Sequence, residues 1–329
     1  MKDRPEQIKK RILDSPAPSF LKKWSVAIRP FALPASTMPV IFGTLMSVTI
    51  GGASFDLLLF LAALFGMAIL HTGSNLLNDA FDYEKGIDKQ VNPVSGAVVR
   101  GWISSRDALH AGYLFLGLGM LIGLFLVSRV GVSILWIGMA GVVIGIFYTW
   151  GPLPLKFNAL GDLAVFLNFG VLGALGAWIV QTGTFSWAPV IWAVPMSLLV
   201  VGILHSNNWR DIDSDRAGGI QTMASRLGDT LSEGYFVFLL VCPFVVIIAL
   251  ILLSMAADLD PKMPPTFLVT FLAIPLTFKL VKKGRMRRQP KHPLDFISLD
   301  GQTAQLNLLF GLLCTAALVL NSLMSFFLG

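Results

Sequence analysis

Nine apolar runs dominate this sequence, at 32–50, 56–79, 108–127, 131–149, 162–181, 188–207, 235–255, 265–282 and 304–328. Nearly all hold about 18–25 residues, enough to cross a hydrocarbon core of about 30 Å as a helix rising 1.5 Å per residue. In lipid the backbone must satisfy its own amides within each segment, so every run is expected to be helical. The expected fold is therefore an all-α polytopic membrane protein with nine transmembrane helices. Only 13% of the residues are charged, about half the share found in soluble domains. That balance excludes a soluble enzyme, a disordered chain and a nucleic-acid-binding domain, despite a net charge of +6.

The positive charge has a topological explanation. Of the 25 Lys and Arg, 23 fall in alternate connections: the N-terminal segment, 80–107, Lys156, 208–234 and 279–303. Arg129 and Lys262 alone fall on the other side. The excess of cations on the cytoplasmic face of membrane proteins then puts the N-terminus inside and the C-terminus outside. The expected location is the cell (inner) membrane. Residues 1–30 are basic and lack the apolar core of a signal peptide. They read as a cytoplasmic segment with short interfacial helices at 8–13 and 20–28. Residues 31–329 read as one transmembrane domain. Pro39, Pro195, Pro243 and Pro275 lie in or near the spans and mark expected kinks. Cys242 and Cys314 sit alone in apolar runs, which suits neither a disulfide framework nor a zinc site.

Chemistry concentrates in two windows. Seven of the 19 acidic residues lie in Asn75-Leu76-Leu77-Asn78-Asp79-Ala80-Phe81-Asp82 and its continuation to Asp88, and in Asn207-Asn208-Trp209-Arg210-Asp211-Ile212-Asp213-Ser214-Asp215-Arg216. Each window begins at the inner end of a span and enters a long connection. The spans concerned are the second and the sixth, the offset expected of a parallel four-helix duplication. On a helix, Asn75, Asp79 and Asp82 share a stripe about 60° wide, as do Asn208, Asp211 and Asp215. Asp213 points away from Asp211.

Two facing carboxylate-rich helix ends repel unless a cation relieves them. Oxygen donors with no His or Cys beside them suit Mg²⁺, which commonly shares its coordination with substrate phosphates. Asn75, Asn207 and Asn208 supply neutral oxygens. Arg100, Lys156, Arg210 and Arg216 are the cations placed to grip a diphosphate. The aromatics Phe81, Phe147, Tyr148 and Trp150 cluster on the same side, where their faces can stabilise a developing cation. A polar head at the membrane surface with an apolar tail among the helices fits this layout. A cation-coupled transporter is the rival class, but it needs acids near the bilayer midplane. No span carries a central Asp, Glu, Lys or Arg. His71 and His205, each a few residues before a window, are the ionisable residues well inside spans, and read as hydrogen-bonding groups.

The two windows resemble the paired aspartate motifs of the UbiA superfamily of intramembrane prenyltransferases. The likeness extends to Arg29-Pro30, Leu33-Pro34-Ala35, Ser95-Gly96 through Arg100-Gly101, Tyr148-Thr149-Trp150-Gly151-Pro152, Gln181-Thr182-Gly183, Ser225-Arg226-Leu227-Gly228, and Thr303 through Leu306-Asn307 to Phe310-Gly311. These are most similar to the 1,4-dihydroxy-2-naphthoate polyprenyltransferase branch of menaquinone synthesis, over roughly residues 27–312. Three positions depart from the pattern: Gly86 where many members have an acid, Gln221 where many have Lys, and Asn92-Pro93-Val94 in place of a Gly-rich stretch.

The resemblance implies that Asp79, Asp82, Asp211 and Asp215 hold two Mg²⁺ and are catalytic. It implies transfer of a polyprenyl group from its diphosphate to 1,4-dihydroxy-2-naphthoate with loss of CO₂, at a site facing the cytoplasm. Another acceptor, 4-hydroxybenzoate or a lipid alcohol, stays open as an alternative. Arg29 is expected to pair with the acceptor carboxylate and Asn307 to meet a ring hydroxyl. Ser95 and Tyr148 join the acceptor side, and Arg100 serves either substrate. The expected partners are these substrates and the lipid bilayer. Neither nucleic acid nor an obligate protein partner is expected.

Overall fold

A computed structural model describes residues 18–86, 96–149, 151–152, 154–257, 260–287, 296 and 298–328. Over these residues the chain is helical, and its one strand-like element is an isolated bridge between Asn158 and Gln221. The helices are α1 Phe20–Ile28, α2 Pro34–Thr49, α3 Leu57–Glu84, α4 Ser105–Val130, α5 Val132–Thr149, α6 Gly161–Val165, α7 Leu172–Thr182 and α8 Trp187–Trp192. There follow α9 Val194–Arg210, α10 Ile212–Ala217, α11 Met223–Ala256, α12 Ile274–Gly284 and α13 Leu299–Leu328.

Seven helical stretches are long and apolar enough to cross a membrane, or eight if the bent pair formed by Phe20–Ala32 and Pro34–Thr49 is one span. Nine were expected. The run at 188–207 falls short because it is broken at Ala193 into α8, of six residues, and α9, of 17. Pro195 lacks the amide that would bond to Ile191, so no continuous helix crosses that point. Pro275 also sits in a first turn, where a short 3₁₀ stretch, Pro265–Ala273, gives way to α12. α11 is interrupted at Gly228, whose φ of 73° and ψ of 179° no ordinary residue adopts easily.

The expected span ends also move. α3 continues to Glu84, past the boundary set at 79, because the apolar face of Leu76 and Ala80 is still buried there. The connection 208–234, read as a loop, is mostly α10 and the start of α11. The interfacial helix expected at 20–28 is α1, capped by the Ser19 hydroxyl. The one expected at 8–13 lies outside the described residues.

Close packing explains how the helices assemble in a solvent that offers no hydrophobic drive. A Cβ at Gly43 would sit 2.2 Å from the Ala174 carbonyl oxygen, so only glycine lets α2 meet α7. Gly73 and Gly112 bring α3 and α4 together in the same way. The main core, with Phe42, Trp192, Met196, Phe236, Phe267 and Phe310, joins α2, α8, α9, α11 and α13. No residue of α5 is buried, and Val132, Trp136, Met139, Val143 and Ile146 face outward, as a lipid-facing helix requires. A smaller core of Ala27, Leu76, Ala80, Ala97, Val98, Ile103 and Ala108 fastens α1 and the segment after Gly96 to the C-terminal end of α3. That second core sets the position of everything around Asp79.

Candidate active site

Asp79 is only 2% exposed and pairs with Arg29. The pairing depends on backbone shape. Arg29 ends α1 at φ 54°, ψ 58°, a left-handed conformation that non-glycine residues seldom hold. Pro30 follows, disfavouring a helical conformation at Arg29, and the chain turns sharply toward α3. Only Oδ1 of Asp79 is engaged; its buried Oδ2 has no hydrogen-bond partner among the described residues. Around it, the Asn75 amide donates to the Ile28 carbonyl at 3.4 Å, and the Thr149 hydroxyl donates to Asn78 Oδ1 at 3.1 Å.

One turn on, both oxygens of Asp82 accept from Lys156 Nζ, at 2.5 and 2.7 Å. Lys156 lies on a short 3₁₀ turn, Leu155–Phe157. That turn is bonded to the segment just after the second window: the Ala159 amide donates to the Gln221 carbonyl at 2.6 Å, and the Gln221 amide donates to the Phe157 carbonyl at 3.3 Å. Lys156 therefore stands between the two aspartate windows.

In the second window the expected single stripe is broken. α9 ends at Arg210 and α10 begins at Ile212, with Asp211 at φ −98°, ψ 12° between them. Asp215 is 9% exposed and accepts from the Thr222 hydroxyl at 3.2 Å. Burial, then the Asp211 charge, pushes its carboxyl up to about 7; Asp82 adds to the effect, while Thr222 and Lys156 oppose it. Asp213 is exposed.

The other expected residues divide. Arg210 pairs with Asp211 at 2.8 Å and with Asp300 at 2.8 Å, and donates to Asn207. Arg216 donates to the Ser225 carbonyl at 3.0 and 2.6 Å. Both guanidinium groups thus have protein partners where free diphosphate grips were expected. Arg100 lies over the Trp102 ring, 4.6 Å from its centre. Asn208 is partly buried at the end of α9. Tyr148 lies within electrostatic reach of Asp82, Asp215, Asp162 and Arg29, at the meeting point of the two windows. Asn307 is fully buried in α13, and neither amide atom has a partner among the described residues. Phe147 is exposed and Phe81 partly buried; Ser95 and Trp150 lie outside the described residues.

The sequence reading missed Thr222, which bonds Asp215, and Asp300, which holds Arg210. The signal for Thr222 was its place seven residues after Asp215, one loop away. Asp300 stands 90 residues from Arg210, and nothing local announces that pair.

Among the described residues, no three His, Cys, Asp or Glu side chains converge to form a metal site unaided. The donors nonetheless fit a hard cation shared with phosphate oxygens. They are all oxygens, one is a buried carboxylate oxygen with no partner among the described residues, and Asp215 is buried beside the Asp211 charge.

The UbiA prenyltransferase family matches the chain over residues 37–299. The chain is 33% identical over 309 residues to UbiA prenyltransferase domain-containing protein 1 of Xenopus tropicalis, covering 92% of this chain and 84% of that one. It is 29% identical over 294 residues to 1,4-dihydroxy-2-naphthoate octaprenyltransferase of Bacillus subtilis, covering 89% and 91%. A solved UbiA homolog from Archaeoglobus fulgidus, bound to GPP and Mg²⁺, superposes with a TM-score of 0.60 at 17% identity, covering 89% of this chain and 99% of that one. The paired aspartate windows, the helical fold and these relatives agree: the chain is a membrane prenyltransferase of the UbiA family.

Proposed function

We propose that the chain transfers a polyprenyl group from its diphosphate to 1,4-dihydroxy-2-naphthoate, with loss of CO₂, giving demethylmenaquinol, the hydroquinone form of demethylmenaquinone. The observation that carries this reading is Lys156, bonded to Asp82 of the first window and within electrostatic reach of Asp215 of the second, beside a buried Asp79 oxygen that has no partner among the described residues. The naphthoate is favoured by the relative from Bacillus subtilis and by chemistry. Two ring hydroxyls make this acceptor electron-rich, so the site has to supply little more than order and charge.

Asp79, Asp82, Asp211 and Asp215 would hold two Mg²⁺, with Asn75, Asn207 and Asn208 as neutral oxygen donors. Bound there with the diphosphate, the ions would offset the charge that develops on the leaving oxygens. Lys156 and Arg29 sit against the carboxylates and are placed to turn to the diphosphate and to the acceptor carboxylate respectively. Arg100 adds a further cation at the rim. Tyr148 offers its ring to the allylic cation, and the buried Asn307 amide meets an acceptor hydroxyl. The surrounding helices exclude water, which would otherwise consume that cation.

In this reading residues 31–329 form one transferase domain of nine membrane segments, α2 and the α8–α9 pair included. The site opens to the cytoplasm from the inner membrane, as the cation distribution indicates. The test is product mass after incubating pure protein with Mg²⁺, a polyprenyl diphosphate and a panel of acceptors. Prenylated naphthohydroquinone, or the quinone that air forms from it, as the main product supports the reading; a prenylated 4-hydroxybenzoate or lipid alcohol in its place overturns it.

A further inference from the structure

Three charged side chains form a row at the junction of α9 and α10. Asp211 is the open member, with 41% of its side chain exposed. Arg210 is 11% exposed and Asp300 is 8% exposed, so the row runs from the more open side into the protein. Arg210 meets Asp211 through two bonds, Nε to Oδ1 at 3.0 Å and Nη2 to Oδ2 at 2.8 Å. Such a paired contact is the strong form of a guanidinium–carboxylate interaction. Nη1 of the same guanidinium donates to Oδ2 of Asp300 at 2.8 Å, and Nη2 also donates to Asn207. Asp300 lies in the first turn of α13, and its Oδ1 accepts from the Gly301 amide at 2.8 Å. A helix N-terminus favours negative charge, which keeps Asp300 ionised beside Arg210.

The backbone at this junction is held by other groups. Arg287 Nη1 donates to the Arg210 carbonyl at 3.3 Å, and Arg287 also pairs with Asp229. The fully buried Trp209 donates its indole N–H to Asp229 at 2.7 Å. The end of α9 is therefore fastened without Asp300, whose contact with it is made to the guanidinium.

Two carboxylates share one guanidinium, so the trio keeps one net negative charge. Each Asp211 oxygen retains a lone pair beyond the one that Arg210 engages. With Asp300 neutral, the whole charge of Arg210 would fall on Asp211 and compete with any other cation for the same oxygens. We propose that Asp300 is a positioning residue for the metal site: by drawing on the Arg210 guanidinium it keeps the Asp211 carboxylate available to a divalent cation. This rests on the reading above that Asp211 is a metal ligand.

Metal binding tests it without turnover. Purified protein is equilibrated by dialysis against Mn²⁺ with excess inorganic pyrophosphate, bound metal is measured, and melting without metal checks that each variant folds. Asp300→Asn should weaken Mn²⁺ binding about tenfold, the range of coupling within one salt-bridge network. Asp300→Glu keeps the charge and should stay within about threefold of wild type. In an Arg210→Gln background, Asp300→Asn should change binding by less than about twofold, because Asp300 acts through the guanidinium. In turnover, Asp300→Asn should raise the Mg²⁺ KM about tenfold while kcat at saturating Mg²⁺ stays within about threefold of wild type. Unchanged Mn²⁺ binding in Asp300→Asn, an equal loss in Asp300→Glu, or a tenfold loss that persists without Arg210 would each overturn the proposal. Asp211→Asn separates the two claims. Wild-type Mn²⁺ binding in that variant would overturn the ligand reading and the proposal with it, whereas weakened binding there beside an unaffected Asp300→Asn would overturn the proposal alone.

Discussion

Lys156 grips both oxygens of Asp82, at 2.5 and 2.7 Å, from a turn whose backbone is bonded to Gln221 on the far side of the site. Lys156 thus holds Asp82 of the first window across 74 residues, and its charge reaches Asp215 of the second. Lys156→Ala should lower kcat/KM for the prenyl diphosphate about 100-fold, the loss expected when one preorganised charge is removed from a leaving group. Lys156→Arg should recover part of it, because the charge returns with a different shape. Steady-state kinetics with varied prenyl diphosphate checks both; an unchanged kcat/KM in Lys156→Ala would contradict the assignment.

Asp79 and Asp213 make a matched comparison. Asp79 is buried with one oxygen that has no partner among the described residues, while Asp213 is exposed in the second window. Asp79→Ala should reduce turnover by about 1,000-fold, and Asp213→Ala by no more than a few-fold. Initial rates at saturating Mg²⁺ decide this, with the reverse ranking as the failing outcome.

Asp215 makes metal binding depend on pH. Its carboxyl is pushed up to about 7, chiefly by burial. Between about pH 4 and 7 the folded chain therefore holds a proton that the unfolded chain has released. Stability without metal falls as pH rises through that window. Metal takes the ionised form, so affinity should weaken about tenfold per unit below pH 7. Calorimetric titration of Mg²⁺ with a prenyl diphosphate at pH 6 and 8 measures the slope, and Asp215→Asn should flatten it.

Much of the layout was legible because the bilayer imposes a length. The apolar runs recover α3, α4, α5 and α13 within a few residues, since lipid leaves a 20-residue apolar segment no option but helix. Helix ends were harder to read. α3 outlasts its apolar run because Ala80 packs on α1 and the segment after Gly96, a tertiary contact with no local mark. Asp79, Asp82, Asp211 and Asp215 stood out by type and spacing, but their cations did not. Arg29 reaches Asp79 across 50 residues, and Arg210 spends its charge on Asp300 across 90. Both pairings arise from helix packing, which residue spacing cannot express.

Membrane orientation can be checked at exposed positions that the cation distribution assigns to the inner side. Ser104 caps α4, and Asp213 lies on α10. Single cysteines placed there should resist an impermeant thiol reagent in intact cells and react after permeabilisation. Ser232 is unsuitable despite lying in the expected loop, because it is fully buried in α11. Labelling of either cysteine from outside would reverse the orientation drawn from the cations.

The most direct measurement follows the carboxyl carbon of the acceptor. Pure protein is incubated with 1,4-dihydroxy-2-naphthoate labelled at that carbon, a polyprenyl diphosphate and Mg²⁺, and gas and lipid products are counted separately. The account predicts one labelled CO₂ for each prenylated product and no label in the lipid. Label retained in a prenylated product, or prenylation without CO₂ release, would contradict it.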